Sequence, residues 1–337
     1  MKVLLTGGTG YIGSHVAVSL LAAGHDVVCF DNLSNSRADV IERIEAISGK
    51  AIPLVVGDIR DRDGVRDAIA DHGANAVIHF AGLKAVGESV ADPVRYYDNN
   101  VRGTLSLVEA MLDCDVRTLV FSSSATVYGD PQYLPLDEAH PTSATNPYGR
   151  TKLMIEEMLT DIAAADPAWR IAVLRYFNPV GAHDSGLIGE DPNGVPNNLM
   201  PYISRVAAGR LAELPVFGND YATPDGTGVR DYIHVADLAD GHVAALDRLG
   251  ERNNALSIWN LGTGQGYSVL DMISAFERVN DVPVPHRIAP RRPGDIASCY
   301  ASPDRARDEL GWETKRGLDE MCASTWRFER TAAMRNA

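Results

Sequence analysis

Tyr148 and Lys152 have the residue types and the spacing of an acid–base pair on a helix. They follow Pro147, a residue favoured at the first helical position, and side chains four residues apart share one helix face. A free tyrosine has a pKa of about 10, which must lie about 3 units lower for tyrosine to act as a base near pH 7. A neighbouring ammonium group can supply part of the ~4 kcal/mol that this requires. The same spacing also occurs on solvated helix surfaces, so by itself it is a weak signal.

Three consecutive serines close an apolar run earlier in the chain. Ser122, Ser123 and Ser124 follow Thr118–Phe121, a segment typical of a buried strand. Ligands bind at the carboxyl ends of strands in open α/β sheets, so we expect Ser124 to face a ligand. We expect Ser122 and Ser123 to satisfy backbone groups, which is the usual role of serine at a strand end.

A glycine-rich segment near the start of the chain is typical of a dinucleotide loop. Gly7, Gly10 and Gly13 follow an apolar run and precede an amphipathic one. Glycines at this spacing allow a tight turn and close approach of a pyrophosphate, to which a helix N-terminus offers free N–H groups. Asp31 lies 18 residues after Gly13, where a carboxylate accepts from ribose hydroxyls and repels a 2′-phosphate. The combination predicts a site for NAD rather than NADP.

Short apolar runs alternate with amphipathic segments over the first half of the chain. We predict strands at Val3–Thr6, Asp26–Phe30, Ile52–Val56, Ala76–Phe80, Thr118–Ser122 and Ile171–Tyr176. We predict helices at Ile12–Ala23, Arg62–Ala70, Val94–Leu112 and Leu153–Ala165. This alternation indicates an α/β fold with a doubly wound parallel sheet, a Rossmann domain.

The second half of the chain is richer in turn-forming residues. Prolines, glycines and asparagines predict loops over Asn178–Pro201 and Pro283–Pro293. A helix-like run at Val235–Leu249 and an apolar strand at Ser257–Leu261 interrupt this half. We therefore expect a smaller, discontinuous α/β substrate domain. The NAD-binding domain would comprise residues 1–177 and 231–262, and the substrate domain residues 178–230 and 263–337.

Charge and cysteine content exclude several classes of partner. The 337-residue chain has a net charge of −14, which argues against nucleic acid or an anionic membrane as the main partner. No apolar run approaches the ~20 residues of a membrane span, and no signal h-region precedes the first motif. The cysteines Cys29, Cys114, Cys299 and Cys322 lack the spacing of a metal site, so we expect no metal, no disulfide and a cytoplasmic protein.

Five motifs together resemble UDP-glucose 4-epimerase, a family of extended short-chain dehydrogenase/reductases. They cover residues from about 1 to 312, and the last is the most specific because it lies in the substrate half. The motifs are T-G-G-T-G-Y-I-G (6–13), F-S-S-S-A-T-V-Y-G (121–129), N-P-Y-G-R-T-K (146–152), R-Y-F-N-P-V-G-A (175–182) and G-N-D-Y-x-T-x-D-G-T-G-V-R-D-Y-I-H-V (218–235).

The resemblance implies a mechanism of transient oxidation at C4 of a UDP-sugar. Tyr148 would take the proton of the 4-hydroxyl group while C4 delivers a hydride to the nicotinamide. Ser124 would hydrogen-bond the 4-oxygen. Lys152 would hold the nicotinamide ribose and, together with the cationic nicotinamide ring, lower the pKa of Tyr148. The 4-keto sugar would then turn and take the hydride back on its other face, so NAD stays bound.

The resemblance also implies a set of cofactor contacts beyond the glycines and Asp31. We expect Lys84, unpaired in the apolar stretch Phe80–Val86, to be a cationic contact near the cofactor, because lysines are rarely buried without a partner. The other contacts implied are Tyr11, Ile12, Asn32, Asp58, Ile59, Phe80, Ala81, Asn99, Ser124, Tyr148, Lys152 and Phe177.

Substrate contacts follow from the same resemblance. Arginine donates planar, multiple hydrogen bonds, so Arg230 and Arg292 suit a diphosphate, whereas we expect Arg291 to be a solvated surface residue. Cys299 falls where some relatives carry a bulky tyrosine near the sugar 2-substituent, which predicts turnover of the UDP-N-acetylglucosamine pair as well. The contacts implied are Lys84, Ser124, Tyr148, Asn178, Asn198, Leu199, Phe217, Arg230, Arg292, Asp295 and Cys299.

The alternatives to this prediction are another NAD-dependent nucleotide-sugar epimerase, a 4,6-dehydratase, a non-catalytic NAD sensor and a purely structural scaffold. The scaffold would leave the motif at 218–235 unexplained. A sugar-nucleotide 4,6-dehydratase would need an acid–base carboxylate pair after the serine, but Ala125 and Thr126 stand there. A non-catalytic NAD sensor shares the fold, but the intact Ser–Tyr–Lys set argues against it. Relatives pair through helices equivalent to Val94–Leu112 and Leu153–Ala165, which implies a homodimer.

Overall fold

A seven-stranded parallel sheet forms the centre of the computed structural model, which describes residues 1–251, 255–292 and 294–335. The strands of the described residues are β1 (Lys2–Thr6), β2 (Asp26–Asp31), β3 (Leu54–Val56), β4 (Ala76–His79), β5 (Thr118–Ser124), β6 (Arg170–Tyr176), β7 (Asn178–Val180), β8 (Leu214–Phe217), β9 (Val229–His234), β10 (Leu256–Leu261), β11 (Gly266–Ser268), β12 (His286–Ala289) and β13 (Ser298–Cys299). The central sheet has the order β10-β6-β5-β4-β1-β2-β3, and every neighbouring pair is parallel. This confirms the doubly wound α/β architecture.

Helices cover both faces of this sheet and bury its apolar side chains in two clusters. The helices are α1 (Tyr11–Ala22), α2 (Val40–Ser48), α3 (Arg62–His72), α4 (Val86–Ala91), α5 (Pro93–Tyr96), α6 (Gly103–Asp113), α7 (Pro147–Ala165), α8 (Leu199–Ala207), α9 (Val235–Glu251), α10 (Val269–Asn280), α11 (Asp304–Leu310) and α12 (Leu318–Arg335). A π-helical turn, Tyr97–Arg102, joins α5 to α6, so the predicted helix over Val94–Leu112 is present with an irregular middle. No helix of the described residues has the length and apolar content needed to cross a membrane.

A third apolar cluster lies under the second half of the chain. It packs α8, α10 and α12 against β9, with Met200, Tyr232, Phe276 and Met321 among its buried side chains. Strand β9 pairs with β7, β11 and β13, and β8 pairs with β12. The separate core supports a second unit, while the exact domain boundaries stay a prediction.

Both predicted loops contain secondary structure. The segment Asn178–Pro201 begins with β7 and ends in the first turn of α8, and Pro283–Pro293 contains β12. Pro293 itself lies outside the described residues. The loop predictions were wrong at these points because short strands are stabilised by pairing with β8 and β9, which local sequence does not reveal.

Candidate functional site

The glycine turn lies between β1 and α1 with an open helix N-terminus. Gly7 has φ +72°, a left-handed conformation that favours glycine, and a Cβ on Gly13 would lie 2.3 Å from Gly7 O. Gly10 is the N-cap of α1 and supplies no side-chain cap. The first amides of the helix are therefore available to an anionic group, and Tyr11 and Ile12 lie in this first turn.

Asp31 closes β2 beside this turn. Its carboxylate accepts hydrogen bonds from Thr9 N (3.2 Å), Leu33 N (2.9 Å) and Ser36 Oγ (3.0 Å), so it orders the glycine turn itself. A carboxylate has about four acceptor positions, which leaves one for a ribose hydroxyl. This arrangement fits the adenosine end of NAD.

The neighbouring strand ends carry the other predicted cofactor contacts. Asn32 donates to Asp58 (3.5 Å), and hydrogen bonds from Arg60 lower the pKa of Asp58 to about 2. Ile59 is buried under the sheet. The amides of Phe80 and Ala81 both donate to Thr6 O, which draws the ends of β1 and β4 together.

Asn100 is a positioning residue that the sequence analysis missed. It lies in the π-helical turn, accepts from Leu83 N (2.8 Å) and donates to Leu83 O (3.0 Å) and to Thr151 Oγ1 (3.1 Å). The predicted contact Asn99 donates to the Asn100 side chain. The segment after β4 is thereby fixed against α7, and a π-helical turn of this kind has no clear sequence signal.

Tyr148 and Ser124 meet at the carboxyl end of β5. Ser124 ends the strand, and its Oγ accepts from Thr126 N (3.2 Å) and Thr126 Oγ1 (3.0 Å), so its direction is set. Burial raises the pKa of Tyr148 above its ordinary value, and a hydrogen bond with Ser124 and the charge of Lys84 lower it in part. Burial outweighs both effects, so the pKa of Tyr148 lies above its ordinary value, and the lowering expected beside a cationic nicotinamide ring stays a prediction.

Lys152 lies one turn beyond Tyr148 and is buried. Its Nζ donates to Ser122 O (2.6 Å) and lies 4.8 Å from the centre of the Phe121 ring. Burial lowers the pKa of Lys152 to about 8, against an opposing effect of Glu156. The positive charge that lowers the Tyr148 pKa in this structure is that of Lys84, and the expected effect of Lys152 stays a prediction.

A buried ion pair connects the serine run to the next strands. Glu156 accepts from Ser123 Oγ and pairs with Arg175 (2.6 Å), and Arg175 also donates to Tyr128 (3.2 Å). Ser122 hydrogen-bonds the Tyr176 hydroxyl group. The expectation that Ser122 and Ser123 satisfy only backbone groups was wrong, because the buried polar side chains of α7 and β6 face them.

Glu156 could have been found from the sequence. It lies four residues after Lys152 and eight after Tyr148, which places all three on one stripe of α7. A glutamate on a stripe that faces a sheet needs a cationic partner. Nothing in the local sequence points to Arg175 as that partner.

Lys84 has an acidic partner, which corrects the expectation of an unpaired lysine. Its Nζ lies 3.0 Å from Glu190 Oε1, and its side chain is 51% exposed. Asn198 Nδ2 donates to the same oxygen (2.6 Å). Asn198 is also the N-cap of α8 without a side-chain cap, so the amides of Leu199 and Met200 are open, whereas Pro201 has no N–H.

The predicted substrate arginines lie in the second half of the chain. The Arg292 guanidinium lies 4.7 Å from the centre of the Phe217 ring and pairs with Asp295 (2.9 Å). Arg230 lies on β9 and donates to Val229 O (2.8 Å). Arg291 is exposed as expected, but it also pairs with Asp220 and stacks on Tyr221.

Cys299 and Phe177 belong to one small apolar cluster with Val127 and Leu136. Cys299 pairs in register with Arg230 across β13 and β9, and burial raises its pKa to about 11. Asn178 follows Phe177 at the start of β7. The structure therefore places Cys299 beside a predicted diphosphate arginine as a small buried residue.

The arrangement combines an anion-binding turn with a buried acid–base group. The glycine turn and Asp31 fit a dinucleotide, and Ser124, Tyr148 and Lys152 lie at the same carboxyl edge of the sheet. The fold and this site define an α/β enzyme that uses a dinucleotide to move a proton and a hydride at a carbon–oxygen bond.

Comparison with known proteins gives the family. The profile of the "NAD dependent epimerase/dehydratase family" matches residues 3–262, and the chain belongs to this family. Among curated proteins it is similar to UDP-glucose 4-epimerase from Bacillus subtilis, at 59% identity over 98% of this chain and 97% of that protein.

Solved structures of the same kind match over the whole chain. UDP-glucose 4-epimerase from Stenotrophomonas maltophila, solved with NAD and a formylated UDP-arabinopyranose, has a TM-score of 0.97 and 54% identity with full coverage of both chains. The enzyme from Bifidobacterium longum, solved with NAD⁺ and UDP, has a TM-score of 0.96 and 52% identity over 99% of each chain.

Proposed function

We propose that this protein is an isomerase that uses NAD to invert C4 of UDP-sugars, interconverting UDP-glucose and UDP-galactose. The observation that carries the proposal is the meeting of Ser124 and Tyr148 at the carboxyl end of β5, on the same edge of the sheet as the glycine turn that follows β1. The high identity to UDP-glucose 4-epimerases over nearly the full chain supports this assignment.

The residues of the chain have distinct tasks in this proposal. Bound NAD supplies the acceptor that takes the C4 hydride and returns it. Tyr148 accepts the proton of the 4-hydroxyl group, and Ser124, oriented by Thr126, hydrogen-bonds the same oxygen. Lys84 provides the positive charge that favours the phenolate form of Tyr148.

Separate elements hold the cofactor and the substrate. The glycine turn, Asp31 and Lys152 hold NAD, and the buried Lys152 favours an anionic or hydroxyl-rich group beside it. Arg230 and Arg292 bind the substrate diphosphate, to which the open amides of α8 contribute. Asp295 keeps Arg292 in place before substrate arrives.

The experiment is incubation of the purified protein with UDP-galactose, followed by separation of the nucleotide sugars. We expect UDP-glucose as the product and NAD in the supernatant after denaturation. A product lighter by one water would indicate a 4,6-dehydratase instead. Release of NAD without any turnover would indicate a sensor and contradict the proposal.

We also propose a cytoplasmic homodimer. The exposed apolar side chains of Val90, Val94, Leu105, Leu112 and Met154 lie on α4 to α7, and Val94 is 76% exposed. Exposed apolar side chains on a group of neighbouring helices are typical of a protein interface. Light scattering should give twice the chain mass, and Val94→Asp should shift the protein toward the monomer.

All four cysteines are free, which fits a reducing compartment such as the proposed cytoplasm.

A further inference from the structure

Glu190 is a nearly buried carboxylate that none of the sequence motifs singles out. It follows β7, and its side chain is 9% exposed. One of its oxygens, Oε1, accepts from both Lys84 Nζ (3.0 Å) and Asn198 Nδ2 (2.6 Å). The carboxylate therefore joins the segment after β4 to the start of α8.

The second oxygen of Glu190 has a different environment. Oε2 is buried, and among the described residues it has no hydrogen-bond partner. A small cavity beside Glu190 is lined by Tyr11, Gly181 and Ser204. An unpaired buried carboxylate oxygen lowers stability, so the place of Glu190 is better explained by its effect on its neighbours than by stability.

Lys84 connects Glu190 to the reacting group. The charge of Lys84 favours the phenolate form of Tyr148, and Glu190 is the ion-pair partner of Lys84. Half of the Lys84 side chain is exposed, so without a partner the long side chain would be free to extend into solvent. The Lys84 ammonium group would then have no fixed position relative to Tyr148.

We infer that Glu190 is a positioning residue. Its Oε1 atom holds the Lys84 ammonium group near the catalytic tyrosine and also holds the Asn198 side-chain amide. The inference rests on the proposed function. Removal of the Glu190 charge frees Lys84, and the phenolate of Tyr148 loses a nearby cation. The pKa of Tyr148 then rises, so the acidic limb of the kcat profile moves to higher pH.

The test is a double-mutant cycle on kcat near pH 7. Glu190→Gln should lower kcat about tenfold with NAD content unchanged, whereas in a Lys84→Met background it should change kcat less than about twofold. Asp191→Asn is the matched control, since Asp191 pairs with Arg205 instead and should leave kcat unaltered. Equal losses in both backgrounds, or an unmoved acidic limb, would overturn the inference.

A second measurement does not depend on turnover. Partial desolvation lowers the pKa of Lys84, but the charge and hydrogen bond of Glu190 outweigh it, so the pKa lies above its ordinary value. Acetic anhydride labelling, followed by mass spectrometry, should show faster acetylation of Lys84 relative to Lys2 in Glu190→Gln than in wild type. Unchanged relative reactivity would refute the ion pair.

These two measurements separate the inference from the proposed function. A wild-type protein that converts no UDP-sugar would contradict the function, while the labelling result would still decide the pairing of Glu190 with Lys84. If Glu190→Gln does not fold, Glu190→Asp keeps the charge with a shorter reach. Glu190→Asp should shift the acidic limb of the kcat profile to higher pH, but by less than Glu190→Gln. An unshifted acidic limb would contradict the positioning role of Glu190.

Discussion

At the scale of single residues, the chemistry depends on how charges surround one phenol. Burial makes Tyr148 a weaker acid than a free tyrosine, and Ser124 and Lys84 oppose this effect. The proposed role of Tyr148 as a base is therefore favoured by two side chains outside its own helix, one on β5 and one in the segment after β4. The buried Lys152 with a pKa of about 8 adds a second titrating group beside it.

Tyr148→Phe should abolish epimerisation while NAD stays bound. The substitution removes only the phenolic oxygen, so the packing of α7 and the distant glycine turn are retained. Loss of a group that transfers the proton costs about 10²–10⁴-fold in kcat. Turnover of UDP-galactose and NAD content after denaturation measure both quantities. A variant that keeps most of its turnover would remove Tyr148 from the role of base.

Cys299→Tyr should suppress turnover of UDP-N-acetylglucosamine and spare UDP-glucose. Cys299 is small and lies beside Arg230, so a tyrosine there fills space that an N-acetyl group would need. Overpacking of this kind costs about 1–3 kcal/mol. Cys299→Ser keeps the volume and serves as control. The ratio of kcat/KM for the two substrates measures the effect. An equal loss of kcat/KM for both would contradict a role of Cys299 in substrate selection.

At the scale of elements, α7 and β5 are joined by side chains one helical turn apart. Lys152 donates to the carbonyl of Ser122, and Glu156 accepts from the Ser123 hydroxyl group. These two contacts set the distance between the strand that carries Ser124 and the helix that carries Tyr148. The sheet therefore places the serine and the helix places the tyrosine.

Glu156→Gln should destabilise the fold by about 3–5 kcal/mol, because it leaves the Arg175 guanidinium buried without a counter-charge. The adjacent Glu157 is exposed, so Glu157→Gln should have little effect. Urea unfolding measures both free energies. The double substitution Glu156→Leu with Arg175→Met should recover most of the loss, and a failure to do so would show that the ion pair itself stabilises the protein.

Gly13→Ala should weaken NAD binding by distorting the turn between β1 and α1. The added Cβ would lie 2.3 Å from Gly7 O, a contact with backbone that cannot move aside cheaply. We expect about 1–3 kcal/mol of destabilisation together with a lower NAD content after purification. Gly317→Ala meets open space and should change neither quantity. Full NAD occupancy in Gly13→Ala would show that the turn adapts.

At the scale of the whole molecule, the fold keeps several buried histidines neutral. Within the described residues, burial lowers the pKa values of His15 and His79 to about 3 and those of His234 and His242 to about 4. His79, for example, lies between the hydroxyl groups of Thr6 and Thr104. The unfolded chain binds protons at these residues near pH 6.5, whereas the folded protein does not.

The free energy of unfolding should therefore be highest above pH 6.5 and fall as the pH drops toward 4. Each histidine that is protonated only in the unfolded chain adds about 1.4 kcal/mol per pH unit to this loss. Urea unfolding at pH 7, 6 and 5 measures the slope. His242→Asn should reduce the slope by one proton, and His286→Asn, at an exposed position, serves as the matched control. A flat profile would contradict the burial argument.

The sequence by itself determined the architecture and the dinucleotide turn. Continuous apolar runs predict strands that are covered on both faces. The spacing of the glycines indicates a turn whose backbone conformation other residues adopt with difficulty. The glycine turn, Asp31 and the stripe from Tyr148 to Glu156 are local patterns of this kind. They depend on neighbours a few residues apart, which a linear pattern records.

Only the tertiary structure decided which distant side chains meet. The pairs Lys84 with Glu190 and Glu156 with Arg175 are 106 and 19 residues apart, and Tyr11 donates to Gly181 O across 170 residues. The short strands β7 and β12 likewise exist through pairing with β9 and β8. Contacts of this kind are set by packing between elements, and no spacing along the chain encodes the partner of a buried charge.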